Sequence, residues 1–277
     1  MTINFNEAIK YSMSDPTNYW ETRAKRVSRL SAVKRWPILQ WLLSVRIGDE
    51  AFIRKQLTRL GQPIVLDVAC GVGKMQIAAV ARRTYGVDIA GFPKEVAVER
   101  GYIVSEYTPP NYVFQLPEPV GAITCIDLNA HVEFESFTKI IQSSLNHATT
   151  GGQLILIGEF DNDGIGYWLM KRAPARYQRY VLGMKHWHFA RESEFLKRFE
   201  DHFPELRRIL RTEIVCIPPL SHFYACFANK DVKGGVMKAA FLAAVILLSL
   251  INNLLRFVPA EDTAFRVGYV YELRSSP

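Results

Sequence analysis

VLDVACGVGK, residues 65–74, sets apolar residues and Asp67 ahead of a run of small residues that contains Gly71 and Gly73. A β-branched run that ends in a carboxylate and turns through small residues into MQIAAVARR reads as a strand, a tight loop and a helix. Glycine admits positive φ and lets a ligand approach the main chain, and in open α/β sheets such a loop opens on the crevice beyond the strand ends. An ordinary tight strand-to-helix turn has the same local features, so the loop alone leaves both readings open.

The next strand narrows them. Asp88, twenty-one residues after Asp67, ends GVDI at the position from which a carboxylate accepts hydrogen bonds from both hydroxyls of a ribose. A phosphate-binding loop needs G-x-x-x-x-G-K-[ST]; Lys74 follows Gly73, but the earlier glycine and the Ser/Thr are missing. A dinucleotide loop needs G-x-G-x-x-G, whereas the series here is A-C-G-V-G-K and stops. The loop suits an adenosine ligand without a pyrophosphate.

Working outward, residues 63–230 alternate short β-branched runs with helical segments: PIVLDV, RTYGVDI, GAITCID, GQLILIG, RTEIVCI and HFYACFA. Such alternation predicts a parallel α/β sheet with crossover helices. The last two runs are joined by the turn-forming IPPLSH, which predicts an antiparallel pair at the sheet edge. Residues 1–62 form a basic, helical extension: Arg23, Lys25, Arg26, Arg29, Lys34 and Arg35 precede WPILQWLLSVRI, and AFIRKQLTRLG reads as a helix that stops at Gly61. Cover helices with a solvated positive face, or a face that docks on anionic membrane, both fit it. Residues 231–277 form a hydrophobic helical tail, with thirteen consecutive residues from Ala239 to Ile251 holding nothing more polar than Ser249.

With 277 residues, 49% of them apolar, the chain can bury a sizeable core, and its formal charge of +7 suits nucleic acid, anionic lipid or an anionic small molecule without choosing among them. Cys70, Cys125, Cys216 and Cys226 form no C-x-x-C pair and read as reduced core residues, not a disulfide framework or zinc site. The first twenty residues lack the charged start and apolar run of a secretory signal, so a cytoplasmic protein is expected.

VLDVACGVGK, GVDIAG, ITCIDLNAHVE and TTGGQLILIGEF resemble, in order and spacing, the successive motifs of class I S-adenosylmethionine-dependent methyltransferases. The resemblance covers roughly residues 63–230, with Ala69 in place of the first glycine of the commonest motif. It implies a Rossmann-like, mostly parallel seven-stranded sheet with an antiparallel edge strand, and S-adenosyl-L-methionine as cofactor. Asp67 and the backbone of Ala69, Cys70, Gly71 and Gly73 would hold the methionine end, Asp88 the ribose and Ile89 the adenine. Asp127 and Leu128 would lie beside the sulfonium. Glu106 in YIVSEY is the candidate for the adenine amino group, although the TPPNYVFQLPEPV that follows departs from the family's spacing; a solvated loop carboxylate is the alternative.

Methyl transfer is an in-line displacement, so the protein aligns acceptor and methyl and removes a proton when the acceptor is a hydroxyl. His131, four residues after Asp127, is placed by the resemblance to act as that base, with a histidine capping the next helix as the structural alternative. His186 and His188 flank Trp187 in KHWHFARESEF, at the end of an insertion over residues 160–200 that the resemblance makes a lid over the acceptor. No carboxylate or cysteine at ligand spacing beyond Glu192 accompanies this histidine pair, so no metal site is expected. The Asn/Asp-Pro-Pro-Tyr/Phe sequence of base-amine methylation is absent after the fourth strand, and Cys125 lies inside a strand, so a nucleic-acid substrate is not expected.

As a helix, residues 236–258 would extend far enough, at ~1.5 Å per residue, to cross a ~30 Å hydrocarbon core. Asn252 and Asn253 weaken a spanning assignment; Lys230, Lys233 and Lys238 on its N-terminal side would leave the catalytic domain facing the cytosol. The expectation is a membrane-associated methyltransferase of a small hydrophobic or lipid acceptor, with O-methylation favoured. The alternatives are a tail packed within the chain or in a homodimer, where RVGYVYELR adds an edge strand; a cofactor-binding assembly partner without catalysis; and an RNA methyltransferase using the basic extension.

Overall fold

The computed structural model describes residues 47–71, 73, 75–89, 94–160, 162, 190–215, 247 and 266–274. The loop-forming sequence opens from β1 (Ile64–Val68), whose five residues are all buried. It lies between β2 (Arg83–Ile89) and β4 (Val120–Ile126), parallel to both, with Leu66 opposite Tyr85 on one side and Ile123 on the other. A strand covered on both faces gains from being apolar throughout, which is why VLDV, AITCI and LILI read as continuous runs and not as alternations.

Beyond β2 lies β3 (Tyr102–Tyr107), and beyond β4 lies β5 (Ala148–Glu159), both parallel to their neighbours. β6 (Leu206–Val215) and β7 (Arg266–Leu273) complete a seven-stranded sheet of order β3-β2-β1-β4-β5-β7-β6. β7 is antiparallel to both β5 and β6. The antiparallel pair expected at the sheet edge is β6 with β7: among the described residues RVGYVYEL partners RTEIV there, and HFYACFA lies outside them. Val267, Tyr269, Val270 and Tyr271 are at most 1% exposed, so this stretch has the two-sided burial that a place between neighbours requires. Sheet and helical cover accordingly extend past residues 63–230 on both sides.

The sheet's two faces follow from the two-residue period of strands. On one, Leu66, Val68, Ile123, Cys125, Leu154, Leu156, Tyr269 and Tyr271 meet α4 (Phe134–Leu145) and α5 (Glu192–His202) through Phe137, Ile141, Phe195 and Phe199. Phe195 stacks on Phe199 with centroids 5.8 Å apart, and Tyr271 meets Phe199 edge-on at 5.2 Å. On the other, Val65, Ala122, Ile126, Ile155, Ile157 and Val270 meet Phe52, Ile53 and Leu57 of α1 (Ile47–Arg59). α1 ends as its sequence predicts: the Gly61 amide donates to Thr58 from a left-handed φ of 71°. The helix expected over MQIAAVARR is only α2 (Met75–Ala78), because Arg82 already donates to Pro63 and Arg83 pairs with Ile64 as β2 begins. A further short helix, α3 (Glu95–Glu99), connects β2 to β3.

Glu192, at the start of α5, joins helix to sheet. It accepts from Arg211 Nε at 2.6 Å and Nη2 at 3.0 Å, from Asn162 Nδ2 at 2.6 Å, and from the Tyr269 hydroxyl. Burial by itself would raise its pKa, but the donors from Arg211, Tyr269 and Asn162 outweigh it and hold the carboxyl below its ordinary value. The basic extension up to residue 46, most of the lid region and nearly all of the apolar tail lie outside the described residues. Among the described residues no helix is long and apolar enough to cross a membrane.

Two measurements test this packing. Gly268 faces α1, and a Cβ there would come within 2.7 Å of Phe52 Cε1 and 2.9 Å of Ile214 Cδ1. Gly268→Ala is expected to cost about 1–3 kcal/mol, and a melting temperature unchanged within about 1 °C would contradict the close approach of α1 to β7. Because the folded-state pKa of Glu192 is depressed, its contribution is present above its unfolded value of about 4.3 and is lost as pH falls through the folded value. The stability difference between wild type and Glu192→Gln in urea is expected to shrink between about pH 6 and about pH 3. A constant difference would show that Glu192 is not stabilised as a carboxylate.

Candidate functional site

Asp67 is fully buried: Thr124 Oγ1 of β4 donates to Oδ1 at 2.8 Å and the Tyr102 hydroxyl of β3 to Oδ2 at 3.1 Å. The carboxylate thus joins strands on both sides of β1 at the point where the loop departs. Ala69, Gly71 and Gly73 all take left-handed φ values, 52°, 55° and 73°. The Cys70 amide donates to Val87 at 3.1 Å and the Gly73 amide to Cys70 at 2.9 Å, while Arg100 Nη1 caps the Gly73 carbonyl at 2.6 Å. Cys70 is a buried thiol set against β2, where a Cβ on Gly86 would come within 2.7 Å of its Sγ. Its contribution to the loop's outer surface is therefore its backbone.

Asp88 leans onto that loop. Its Oδ2 accepts the Gly71 amide at 2.7 Å and its Oδ1 the Ile89 amide at 2.7 Å. A carboxylate oxygen has two lone pairs, so a carboxylate held by main-chain amides keeps acceptor capacity for ligand hydroxyls. Ile89, half-buried at the end of β2, packs on the larger core. Glu106 stands opposite Asp88 in the β2–β3 register, inside β3 and not in the loop after it, and pairs with Lys94 Nζ at 2.9 Å. Tyr107, opposite Ile89, is buried; burial first and the nearby Asp88 second push its hydroxyl pKa well above the ordinary value.

On the other flank, β4 leads into Asp127, a left-handed residue with φ 65°, and then a 3-10 turn, Leu128–Ala130. Asp127 sends its amide to Ile157 at 2.8 Å and its carboxylate to Arg266 at 2.6 Å. Leu128 is 6% exposed and belongs to the core, so its own side chain faces inward. His131 follows the turn, half-buried, and is not the residue that caps α4; that position is Glu133. Asn129 Nδ2 donates to the Glu159 carbonyl at 3.1 Å, which turns its buried Oδ1 the other way, with no donor to it among the described residues. Sequence reasoning passed over Asn129, Tyr102, Thr124 and Arg266, because their roles come from partners on other strands. The only trace is a charge heading the otherwise apolar RVGYVY.

The predicted loop residues, Asp88, Ile89, Asp127 and His131 thus gather at the carboxyl ends of β1, β2 and β4, with Glu106 beside them on β3. Connections from β1 and β4 run to opposite sides here, so the strand ends part and leave the crevice where ligands bind in such sheets. His186 and His188 lie outside the described residues. Among the described residues no group of histidine, cysteine and carboxylate side chains is arranged to hold a metal.

No family model matches the chain, and no curated protein matches its sequence. Its architecture does recur among solved structures. Magnesium protoporphyrin IX methyltransferase from Synechocystis, crystallised with bound SAH, is 15% identical with a TM-score of 0.52, over 98% of this chain and all of that one. YcgJ from Bacillus subtilis is 13% identical, TM-score 0.50, over 82% of this chain and 98% of that one. The methyltransferase domain of a bacterial Hen1 is 10% identical, TM-score 0.50, over 84% of this chain and all of that one.

At Gly73 a Cβ would lie 3.0 Å from the Tyr102 ring and 3.2 Å from the Ala97 backbone, at a φ of 73°. Gly73→Ala is therefore expected to lose about 1–2 kcal/mol of stability in denaturant titration. A neutral result would contradict the left-handed, closely packed loop.

Proposed function

We propose that this chain, which has the fold of class I S-adenosylmethionine-dependent methyltransferases, binds S-adenosylmethionine in the crevice above β1 and transfers its methyl group to a small acceptor. The observation that carries the reading is the Asp88 carboxylate tethered to the Gly71 amide at 2.7 Å. It presents a ribose-binding acid at the mouth of a left-handed, phosphate-independent loop. When bound, the cofactor supplies a methyl group already activated on a sulfonium.

The chain's residues supply position and proton handling. Asp88 accepts the ribose hydroxyls, and Ile89 offers an apolar surface to the adenine, with Glu106 and its partner Lys94 at the adjoining edge. The backbone of Ala69, Cys70, Gly71 and Gly73 holds the methionine end, with Asp67 fixing the point where that backbone leaves β1. Asp127 and Leu128 border the reacting methyl through the turn they form. His131 stands at the end of that turn, where an imidazole serves as the base that takes the proton from a hydroxyl acceptor.

The acceptor we favour is a hydrophobic or membrane-borne small molecule methylated on oxygen. The apolar sequence of residues 236–258 supports it. Asp88→Ala is expected to abolish S-adenosylmethionine binding in calorimetry at a temperature where circular dichroism shows the variant folded; unchanged affinity removes the assignment. Full-length protein incubated with lipid extract and isotope-labelled cofactor is expected to place label in an extractable lipid. Label confined to water-soluble acceptors would overturn the lipid reading and leave methyl transfer standing.

A further inference from the structure

We propose that Arg266 is a positioning residue of this crevice, fixing the turn after β4 that borders the cofactor's sulfonium and its methyl group. The inference rests on the cofactor reading above. It begins with strand direction: β7 runs antiparallel to β5, with Arg266 opposite Glu159, so the first residue of β7 arrives at the carboxyl ends of the parallel strands. There the guanidinium, 3% exposed, meets carboxylates from three separate elements. Nε and Nη2 grip Asp49 of α1 at 2.8 and 2.6 Å, Nη1 donates to Glu159 of β5 at 2.6 Å, and Nη2 lies 2.6 Å from Asp127 Oδ1.

Asp127 is tied on several sides. It takes φ 65°, a left-handed conformation that aspartate adopts more readily than most residues. The backbone is tied to Ile157 through its amide, the carboxylate to Arg266, and the turn's middle residue, Asn129, to the carbonyl of the same Glu159 that Arg266 binds. The turn is therefore locked to the end of β5 from both sides, and Arg266 joins that lock to α1. Asp88 lies on the opposite flank of the β1 loop, where it accepts the Gly71 amide. A planar fork with donors in several directions holds three carboxylates at once, which a lysine ammonium on a flexible stem does not do.

The test uses the full chain carrying Arg266→Lys, titrated with S-adenosylmethionine and separately with adenosine at a temperature where circular dichroism shows it folded. Adenosine lacks the methionine arm. S-adenosylmethionine affinity is expected to fall about tenfold while adenosine affinity stays within about twofold of wild type, since small misplacements cost only the ligand part that meets them. Equal weakening of both ligands, or weakening of neither, shows a purely structural role and overturns the proposal. Should the lysine variant not fold, Asp49→Asn removes the charge of the α1 arm while leaving Arg266, Asp127 and Glu159 in place. It is titrated in the same way, with a fall of about threefold expected for S-adenosylmethionine alone and the same overturning outcomes. Wild type that binds neither ligand fails the cofactor reading and this proposal with it; wild type and both variants binding S-adenosylmethionine alike fails the positioning role alone.

Discussion

A guanidinium removed from water is stable only where carboxylates replace its hydration, and in this chain the arrangement around Arg266 is set by that requirement. Burial alone would lower its pKa; Asp127, Asp49 and Glu159 outweigh it and hold the group well above its ordinary value. Breaking such a buried set by removing one partner typically costs about 3–5 kcal/mol, whereas an apolar replacement of similar shape is often neutral. Its contribution is therefore better sought in geometry than in net stability. Three elements far apart in sequence, α1, the turn after β4 and the end of β5, meet at this one guanidinium.

The rest of the sheet accommodates that meeting. The α4–α5 face is aromatic, with Phe137, Phe160, Phe195 and Phe199 packed against Tyr269 and Tyr271. Both tyrosine hydroxyls end on carboxylates, Glu192 and Glu200. The α1 face is aliphatic and tight, and Gly268 lets Phe52 close on β7. β7 is thereby clamped on both faces and paired on both edges, which fixes where Arg266 emerges.

Much of the site is legible in the amino-acid sequence. The loop at Gly71 and Gly73, the carboxylate at Asp88 and the turn at Asp127 are local patterns whose spacing follows from strand–loop–helix geometry, and they gather as that spacing predicts. How the acids are used is not legible there. Asp67 serves mainly to join β1 to β3 and β4, Asp127 faces an arginine that lies far along the chain at Arg266, and Glu106 is already paired with Lys94. Each of these partners comes from register between strands, which no window of sequence contains.

Local physics wrote the strands, the loop and the fold class into the sequence, because β-branched runs, left-handed glycines and a carboxylate at a strand end depend only on neighbours a few residues away. The tertiary structure decided which distant stretch becomes the antiparallel strand. RVGYVYEL takes that place because it alone, among the described strands, combines residues buried on both faces with a leading arginine that reaches three acids at the crevice. Pairing of that kind is a property of the assembled sheet: the energy of a buried charge depends on everything that surrounds it, and the surroundings exist only once the chain has folded.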